Sequence, residues 1–380
     1  MNILLSHPYF PPDTPPYGQI LEKIAEALVR EGHHVTIYSG GRSYRGTPLK
    51  SARKKTKASI EIRRIPLPRN RPLGALIYAL GLFWMTLKSR PDVVMAASAP
   101  PVISGLAAAL GAKLCGAKMI YHLQDIHPEV SEALGEKLGR GWRARMLRYL
   151  DGFALKRAAR IIVLSRDMKE TLKRRSKNGL TITVLNNFAR DISPEEPGPE
   201  WHKPQGIRRV IFAGNLGRFQ SLIPLSEGLL LACAERPNLQ IMWLGEGVEL
   251  ETLKAFWAEH SQVVFTPQMS EAQALWLIQE ADIGIVSLEP GICKTSYPSK
   301  LFTYSSCNLP VLALVAPQSE LARDIETQGL GAVAPNKSPE AIAKTLLSLL
   351  DVPQRAPNPI AQSGQEKALE QWCALFEELA

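Results

Sequence analysis

Three stretches of this chain carry residue types that do chemistry. The first runs from Ser287 to Val311, SLEPGICKTSYPSKLFTYSSCNLPV. A strand-like apolar run, 283–288, enters it, and a second, 311–315, leaves it. Between them Pro298-Ser299-Lys300 opens a helical pattern over 301–306. Proline suits a first helical turn, where its missing N–H would go unpaired anyway. Free N–H groups beside it and the Lys300 ammonium make a seat for an anion. A phosphate or diphosphate is therefore expected at Ser299-Lys300; the alternative is a plain βα turn with a surface lysine. The second stretch, FAGNLGRFQ, is a Gly-rich loop opening a helix, with Asn215, Gly217 and the cation Arg218. That pattern also seats phosphate; otherwise Arg218 is a surface residue. In the third, YHLQDIHPEV, His122 ends a strand and Asp125 and Glu129 follow within seven residues. Polar groups at the carboxyl ends of strands line the ligand crevice in open α/β sheets. The structural alternatives are a helix N-cap for Asp125 and a surface carboxylate for Glu129.

The elements that must hold these residues alternate strand and helix along the whole chain, an α/β pattern. A strand at 2–6, a turn-rich loop, a helix at 20–31 with apolar residues at helical spacing and a strand at 35–38 make one βαβ unit. Gly18, just ahead of that helix, lets backbone approach a ligand. There is no GxGxxG, so a dehydrogenase-type dinucleotide fold is disfavoured. Residues 42–58 are basic and are expected to form a mobile loop. An apolar helix over 73–87 carries Tyr78, Phe83 and Trp84 between Arg69/Arg71 and Lys88/Arg90. It either covers the sheet or lies in a membrane interface. Residues 93–112 are uncharged and long enough to span a bilayer, but Pro100-Pro101 divides them. A buried strand, a turn and a packed helix are expected there. Four prolines between 191 and 205 mark a linker. Expected domains are 1–190, a linker 191–207, a second domain 208–355, and a C-terminal linker and helix, 356–380, returning towards the first domain. In the second domain Gly245-Glu246-Gly247 follows a strand at 239–244.

With 380 residues, 45% apolar and 21% charged, the composition is that of a soluble globular protein. The net charge of +9 is uneven. Residues 1–190 hold 32 Lys/Arg against 13 Asp/Glu, a net +19, and the remainder is −10. A basic half suits an anionic membrane, a phosphorylated substrate or nucleic acid. Five scattered cysteines without a CxxC pair suggest neither a disulfide framework nor a metal site. The N-terminus reads as a first strand rather than a signal peptide, so a cytoplasmic protein is expected.

Two Rossmann-like halves of this kind resemble the GT-B glycosyltransferases, with two doubly wound domains facing across a cleft. The opening SHPYFPPDTPPYG and LVREGHHVTIYSG, then YHLQDIHPEV, FAGNLGRFQ, LGEGVELETL and YPSKLFTYSSCNLPVLA resemble, in order and spacing, the large retaining "glycosyl transferases group 1" family. Within it the likeness is to colanic-acid or O-antigen sugar transferases. The resemblance implies a nucleotide diphosphate sugar as donor, no metal and no other cofactor, since fixed cations and N–H dipoles neutralise the leaving diphosphate. Arg218 and Lys300 would be those cations. A lysine frequent just beyond this arginine in the family is Gln220 here, which puts more of the charge on Lys300. Asn215, Gly217, Gly245, Gly247 and Ser299 would line the donor site. His122 would lie near the donor sugar, giving a hydrogen bond rather than moving a proton. Asp125 or Glu129 would orient or deprotonate the acceptor hydroxyl.

One departure is clear. The family's Glu-x7-Glu positions fall on Thr295 and Thr303. Threonine offers a hydrogen bond but no charge, and Glu289 is near enough in sequence to substitute. The expected function is therefore transfer of a sugar to a lipid-linked or polysaccharide precursor by an enzyme peripheral to the inner membrane face, with no nucleic-acid partner. The rivals are a nucleotide-sugar 2-epimerase on the same fold and a weakened sugar-nucleotide-binding partner protein.

Overall fold

The computed structural model describes residues 1–12, 16–42, 60–176, 179–190, 192–267, 269–334, 338–352 and 359–380. Apart from Arg42, the basic loop expected over 42–58 lies outside these residues. Contacts divide the chain into one unit of Met1–Asn187 with Glu366–Ala380 and a second of Phe188–Gln365.

The first unit holds β1 (Asn2–Ser6), α1 (Pro16–Arg30), β2 (His34–Gly40), β3 (Glu61–Ile65), α2 (Arg71–Ser89), β4 (Val93–Ala97), α3 (Ile103–Cys115) and β5 (Lys118–Leu123). Then come α4 (Glu129–Ala133), α5 (Gly141–Arg157), β6 (Arg160–Val163), α6 (Arg166–Arg175) and β7 (Ile182–Val184). Seven parallel strands form one sheet in the order β3-β2-β1-β4-β5-β6-β7. The order reverses between β1 and β4, which pair Leu4 with Val94. That is the switch point, where open α/β sheets bind ligands. All five residues of β4 are buried, as expected of a strand covered on both faces. Residues 93–112 are thus strand, turn and helix.

Asn70 caps α2, its side chain accepting from Leu73 N at 3.0 Å, and Pro72 sits in the first turn where it fits. By length and composition α2 alone among the described helices is apolar enough to cross a bilayer. Yet Gly74, Tyr78, Ala79, Leu82 and Thr86 are buried, and α3 packs against both α2 and α5. One side of the helix thus packs into the unit, as the covering-helix reading has it, and the other is exposed. Helix α1 starts at Pro16 rather than at 20, because Tyr17 packs into the unit at 8% exposure.

The second unit holds β8 (Arg208–Ala213), α7 (Leu222–Glu235), β9 (Leu239–Leu244), α8 (Leu250–Phe256), β10 (Val263–Thr266), α9 (Glu271–Gln279), β11 (Ile283–Ser287) and α10 (Lys300–Ser306). It continues through β12 (Val311–Leu314), α11 (Glu320–Thr327), β13 (Gly331–Ala334) and α12 (Pro339–Asp351). The last helix, α13 (Pro359–Glu377), joins the first unit from Glu366 onward. Six parallel strands run β10-β9-β8-β11-β12-β13, with the switch point between β8 and β11. Phe212, Trp243, Ile285, Leu312 and Leu346 sit in its fully buried core. Three helices start at side-chain caps: Ser270 with Gln273 forms a capping box for α9, and Ser319 and Ser338 cap α11 and α12.

Candidate functional site

At the switch point of the second sheet, Lys300 begins α10 and turns its side chain over the Gly-rich loop. Its Nζ lies 3.5 Å from the Phe212 ring centroid. A side chain added at Gly214 would come within 3.6 Å of it. The ammonium is buried and has no hydrogen-bond partner among the described residues. Burial pushes its pKa down to about 7. The ring face attracts the cation, but it does not replace the hydrogen bonds lost with water. Any anion reaching this point would meet a cation whose donors are unused.

The expected anion seat is corrected in one respect. Pro298 precedes the helix rather than standing in its first turn, and Ser299, at φ −65°, ψ −21°, makes no side-chain cap bond. Helix α10 has only seven residues, so its dipole is small and the positive charge resides on Lys300. Arg218 is 68% exposed, with Nε 3.7 Å from Glu249 Oε1. The two expected cations thus face different partners, and only Lys300 is desolvated.

Backbone hydrogen bonds bring the three expected loops together. Glu289 N donates to Phe219 O at 2.6 Å and Leu216 N to Glu246 O at 2.8 Å. Glu249 N donates to Leu216 O at 3.0 Å. Gln220, standing where relatives were expected to carry lysine, accepts from Gly217 N at 3.0 Å and so pins the loop. Gly245 and Gly247 are glycines for close packing. A Cβ on Gly245 would lie 1.9 Å from Gly214 O, and one on Gly247 2.1 Å from Leu216 O. They shape the loop that carries Asn215 and Gly217. Thr295 is buried, its hydroxyl donating to Ile292 O at 3.0 Å. Thr303 lies in the second turn of α10, half-buried. The Glu289 carboxylate, also half-buried, has no hydrogen bond or ion pair among the described residues. Tyr304, which was not anticipated, receives a hydrogen bond from Ala213 N at 2.9 Å and ties α10 to the end of β8.

In the first unit His122 is almost fully buried at the end of β5. Its Nδ1 is 2.8 Å from Tyr17 Oη and its Nε2 is 2.9 Å from Gln124 Nε2. Asn187 Nδ2 donates to Gln124 Oε1 at 2.9 Å. The Gln124 amide nitrogen must therefore donate to Nε2 of His122, which places the imidazole proton on Nδ1, facing Tyr17. Burial, helped by nearby His7, pushes the His122 pKa down to about 3; burial pushes His7 to about 4. Burial favours the neutral ring, and both of its nitrogens are engaged. Trp372 of α13 covers it, with centroids 4.9 Å apart. Tyr17, Gln124, Asn187 and Trp372 were not singled out by the sequence; only the strand-ending Asn186-Asn187 offered a signal.

Asp125 is half-buried on the loop after β5, and its carboxylate has no partner among the described residues. Ser98, at the end of β4, holds that loop by accepting from Gln124 N at 3.0 Å and Asp125 N at 3.3 Å. Glu129 takes another role. Arg148 Nε lies 3.2 Å and Arg175 Nη1 3.5 Å from its two oxygens. Arg175 also bridges to buried Asp151 at 2.7 Å. Glu129 is therefore held in ion pairs, whereas the Asp125 carboxylate has no partner among the described residues. Gly18 is required by local packing. It lies inside the first turn of α1, and a Cβ there would come within 2.6 Å of Tyr9 O. At the first sheet's switch point Val102 adopts φ +64°, ψ −52°, a γ-turn closed by Ile103 N to Pro101 O at 2.7 Å. Such turns are rare and strained.

Residues 17–187 match the family model for the glycosyl transferase 4-like domain, and residues 207–352 match that for glycosyl transferases group 1. The chain is 26% identical over 286 residues to the probable glycosyltransferase WbjE of Pseudomonas aeruginosa, covering 72% of this chain and 70% of WbjE. Sucrose-phosphate synthase from Thermosynechococcus elongatus superposes with a TM-score of 0.74 at 15% identity, over 100% of this chain and 98% of that one. HepE from Anabaena, solved in complex with UDP, superposes with a TM-score of 0.68 at 14% identity, over 99% and 98% of the two chains. At those identities the two structures speak for the fold.

Proposed function

Because the chain belongs to the group 1 glycosyltransferases of the GT-B fold, we infer that the sugar it transfers comes from a nucleotide diphosphate donor held by the second unit. The acceptor is a lipid-linked or cell-surface polysaccharide precursor, and transfer proceeds with retention of anomeric configuration. The observation that carries the donor is Lys300, a buried ammonium at the β8–β11 switch point without a hydrogen-bond acceptor among the described residues. Negative charge grows on the diphosphate as the glycosidic bond lengthens. A cation held in a dry site stabilises that charge far better than one in water. Lys300 is preorganised for this by Phe212 and the Gly214 backbone. That HepE, a fold relative, binds UDP supports a nucleotide of this class. In the first unit, neutral His122 does not move a proton, and Asp125 orients the acceptor hydroxyl. Charge neutralisation by Lys300 makes the reaction independent of metal, so EDTA is expected to leave turnover within about twofold. The basic first 190 residues, net +19, support a location on the anionic inner face of the plasma membrane, since Lys and Arg are drawn to anionic lipid.

The test is a panel of nucleotide sugars in a thermal-shift assay on the full chain, followed by product analysis with saccharide acceptors. A nucleotide sugar should raise the melting temperature, and its sugar should appear on the acceptor with the donor's anomeric configuration by NMR. Consumption of the sugar nucleotide without an acceptor would instead indicate an epimerase. Failure of every nucleotide sugar to stabilise the protein would favour a non-catalytic partner.

A further inference from the structure

The outer layer of the first unit presents apolar side chains that none of its described elements covers. On α2, Leu73, Leu76, Leu80 and Trp84 are 49%, 52%, 52% and 65% exposed. Their spacing of three, four and four residues sets them on one stripe, on the opposite side from buried Tyr78, Leu82 and Thr86. Helix α5 repeats the arrangement: Trp142, Met146 and Tyr149 are exposed, opposite buried Ala144, Asp151 and Leu155. Helix α3 packs against both and adds exposed Leu110 and Leu114 between them. An apolar surface of this extent marks an interaction site on a soluble fold.

Charge selects the partner. The three helices carry eight Lys/Arg and one Asp/Glu. That one, Asp151, is buried and paired with Arg175 at 2.7 Å. Before α5, Glu132 is paired with Arg148, and Glu136 accepts from Ser131 at 2.9 Å. Arg143 lies over the Trp142 ring at 5.6 Å and Arg157 over Phe153 at 5.8 Å. Arg69, Arg71, Lys88 and Arg90 stand exposed at the two ends of α2. The same face of a second copy of the chain would oppose cations to cations. A neutral apolar partner would leave the arginines unmatched. Aromatic and leucine side chains among basic ones fit the interface of an anionic bilayer, where the apolar groups enter the acyl boundary and the cations meet headgroups.

We propose that the face formed by α2, α3 and α5 is a monotopic membrane-docking surface. Leu76, Leu80, Trp84, Trp142 and Tyr149 insert, and Arg143 and Arg145 engage anionic headgroups. This deepens the peripheral-membrane part of the function above and rests on it. It replaces a diffuse charge attraction by a defined face lying flat on the lipid.

The test is flotation of the full-length protein with phosphatidylcholine vesicles, with or without phosphatidylglycerol, at low and high salt. Wild type should bind the anionic vesicles, with blue-shifted tryptophan emission, and release as salt rises through a few tenths molar. Leu76→Gln/Leu80→Gln/Trp84→Gln should bind at least about tenfold more weakly with an unchanged melting temperature. Arg143→Glu/Arg145→Glu should lose a similar factor at low salt and little at high salt. Salt-sensitive binding that survives both sets of changes would overturn the face while leaving a charge-based attachment. Absence of vesicle binding in wild type would overturn both. Loss of a dimer in the leucine–tryptophan variant, seen by ultracentrifugation without lipid, would assign the face to self-association instead. Nucleotide binding by the same variants, followed separately, should not change.

Discussion

Lys300 concentrates the argument at the scale of the residue, and its pKa gives it two signatures. Burial lowers that pKa from 10.5 to about 7 on folding. Below about pH 7 it is charged in both states and the full burial penalty applies. Between about 7 and 10.5 the unfolded chain holds a proton that the folded one has lost, so this group makes stability rise with pH across that window. Lys300→Met should therefore stabilise the nucleotide-free protein at pH 6.5, by about 1–4 kcal/mol, and flatten that rise; melting curves across pH check both. A bound diphosphate acts in the opposite sense, raising the pKa. Nucleotide-sugar affinity should be highest below about pH 7 and fall towards pH 9, which calorimetry at several pH values would read. The carboxylates after β5 separate in the same manner. Glu129→Gln breaks the pairs to Arg148 and Arg175 and should destabilise by about 1–3 kcal/mol while the folded enzyme keeps its turnover. Asp125→Asn should leave the melting temperature alone and slow turnover by about tenfold or more. The opposite pattern in melting and initial-rate measurements would exchange their roles.

Among the elements, the parallel strands were the most legible, because a strand covered on both faces must be a continuous apolar run. Helix starts were less so. Helix α1 begins four residues earlier than its apolar pattern suggests because Gly18 reads as loop, whereas packing on Tyr9 is what demands glycine there. Helix α11 and strand β13 were not read at all. The Ser319 cap and the buried Leu321, Ala322 and Ile325 are present in the sequence, but charges interleave them, and β13 is only the small-residue run Gly331–Ala334. The loop glycines illustrate the same limit: Gly245 and Gly247 read as ligand-facing positions, and their packing against the neighbouring loop is visible only in the structure. Gly245→Ala would push a methyl carbon against Gly214 O at φ +144°. It should lower the melting temperature and weaken nucleotide binding by about tenfold, since the loop bearing Asn215 must shift to admit it. Unaltered binding in a thermal-shift titration would show that the loop's position does not matter.

For the whole molecule, alternating strands and helices, the charge imbalance and the ordered motifs were enough to read two α/β units and the family. The candidate site was legible in part. Lys300 could be named as a candidate phosphate ligand, but its burial could not be read, because Phe212 and Lys300 meet only when β8 and β11 become neighbours in the sheet. The hydrogen-bond chain through Tyr17, His122, Gln124 and Asn187 was hidden for the same reason, since it joins α1 to the ends of β5 and β7. The central claim is that the ammonium of Lys300 receives the donor diphosphate. Isothermal calorimetry of UDP, GDP and ADP, each also as its glucose conjugate, against the full-length wild type and Lys300→Met at pH 6.5 tests it most directly. At least one conjugate should bind wild type and lose about a hundredfold in affinity in the variant, with the variant still folded. Binding to the variant within about twofold of wild type would contradict the account, because a desolvated cation facing a diphosphate cannot be removed so cheaply.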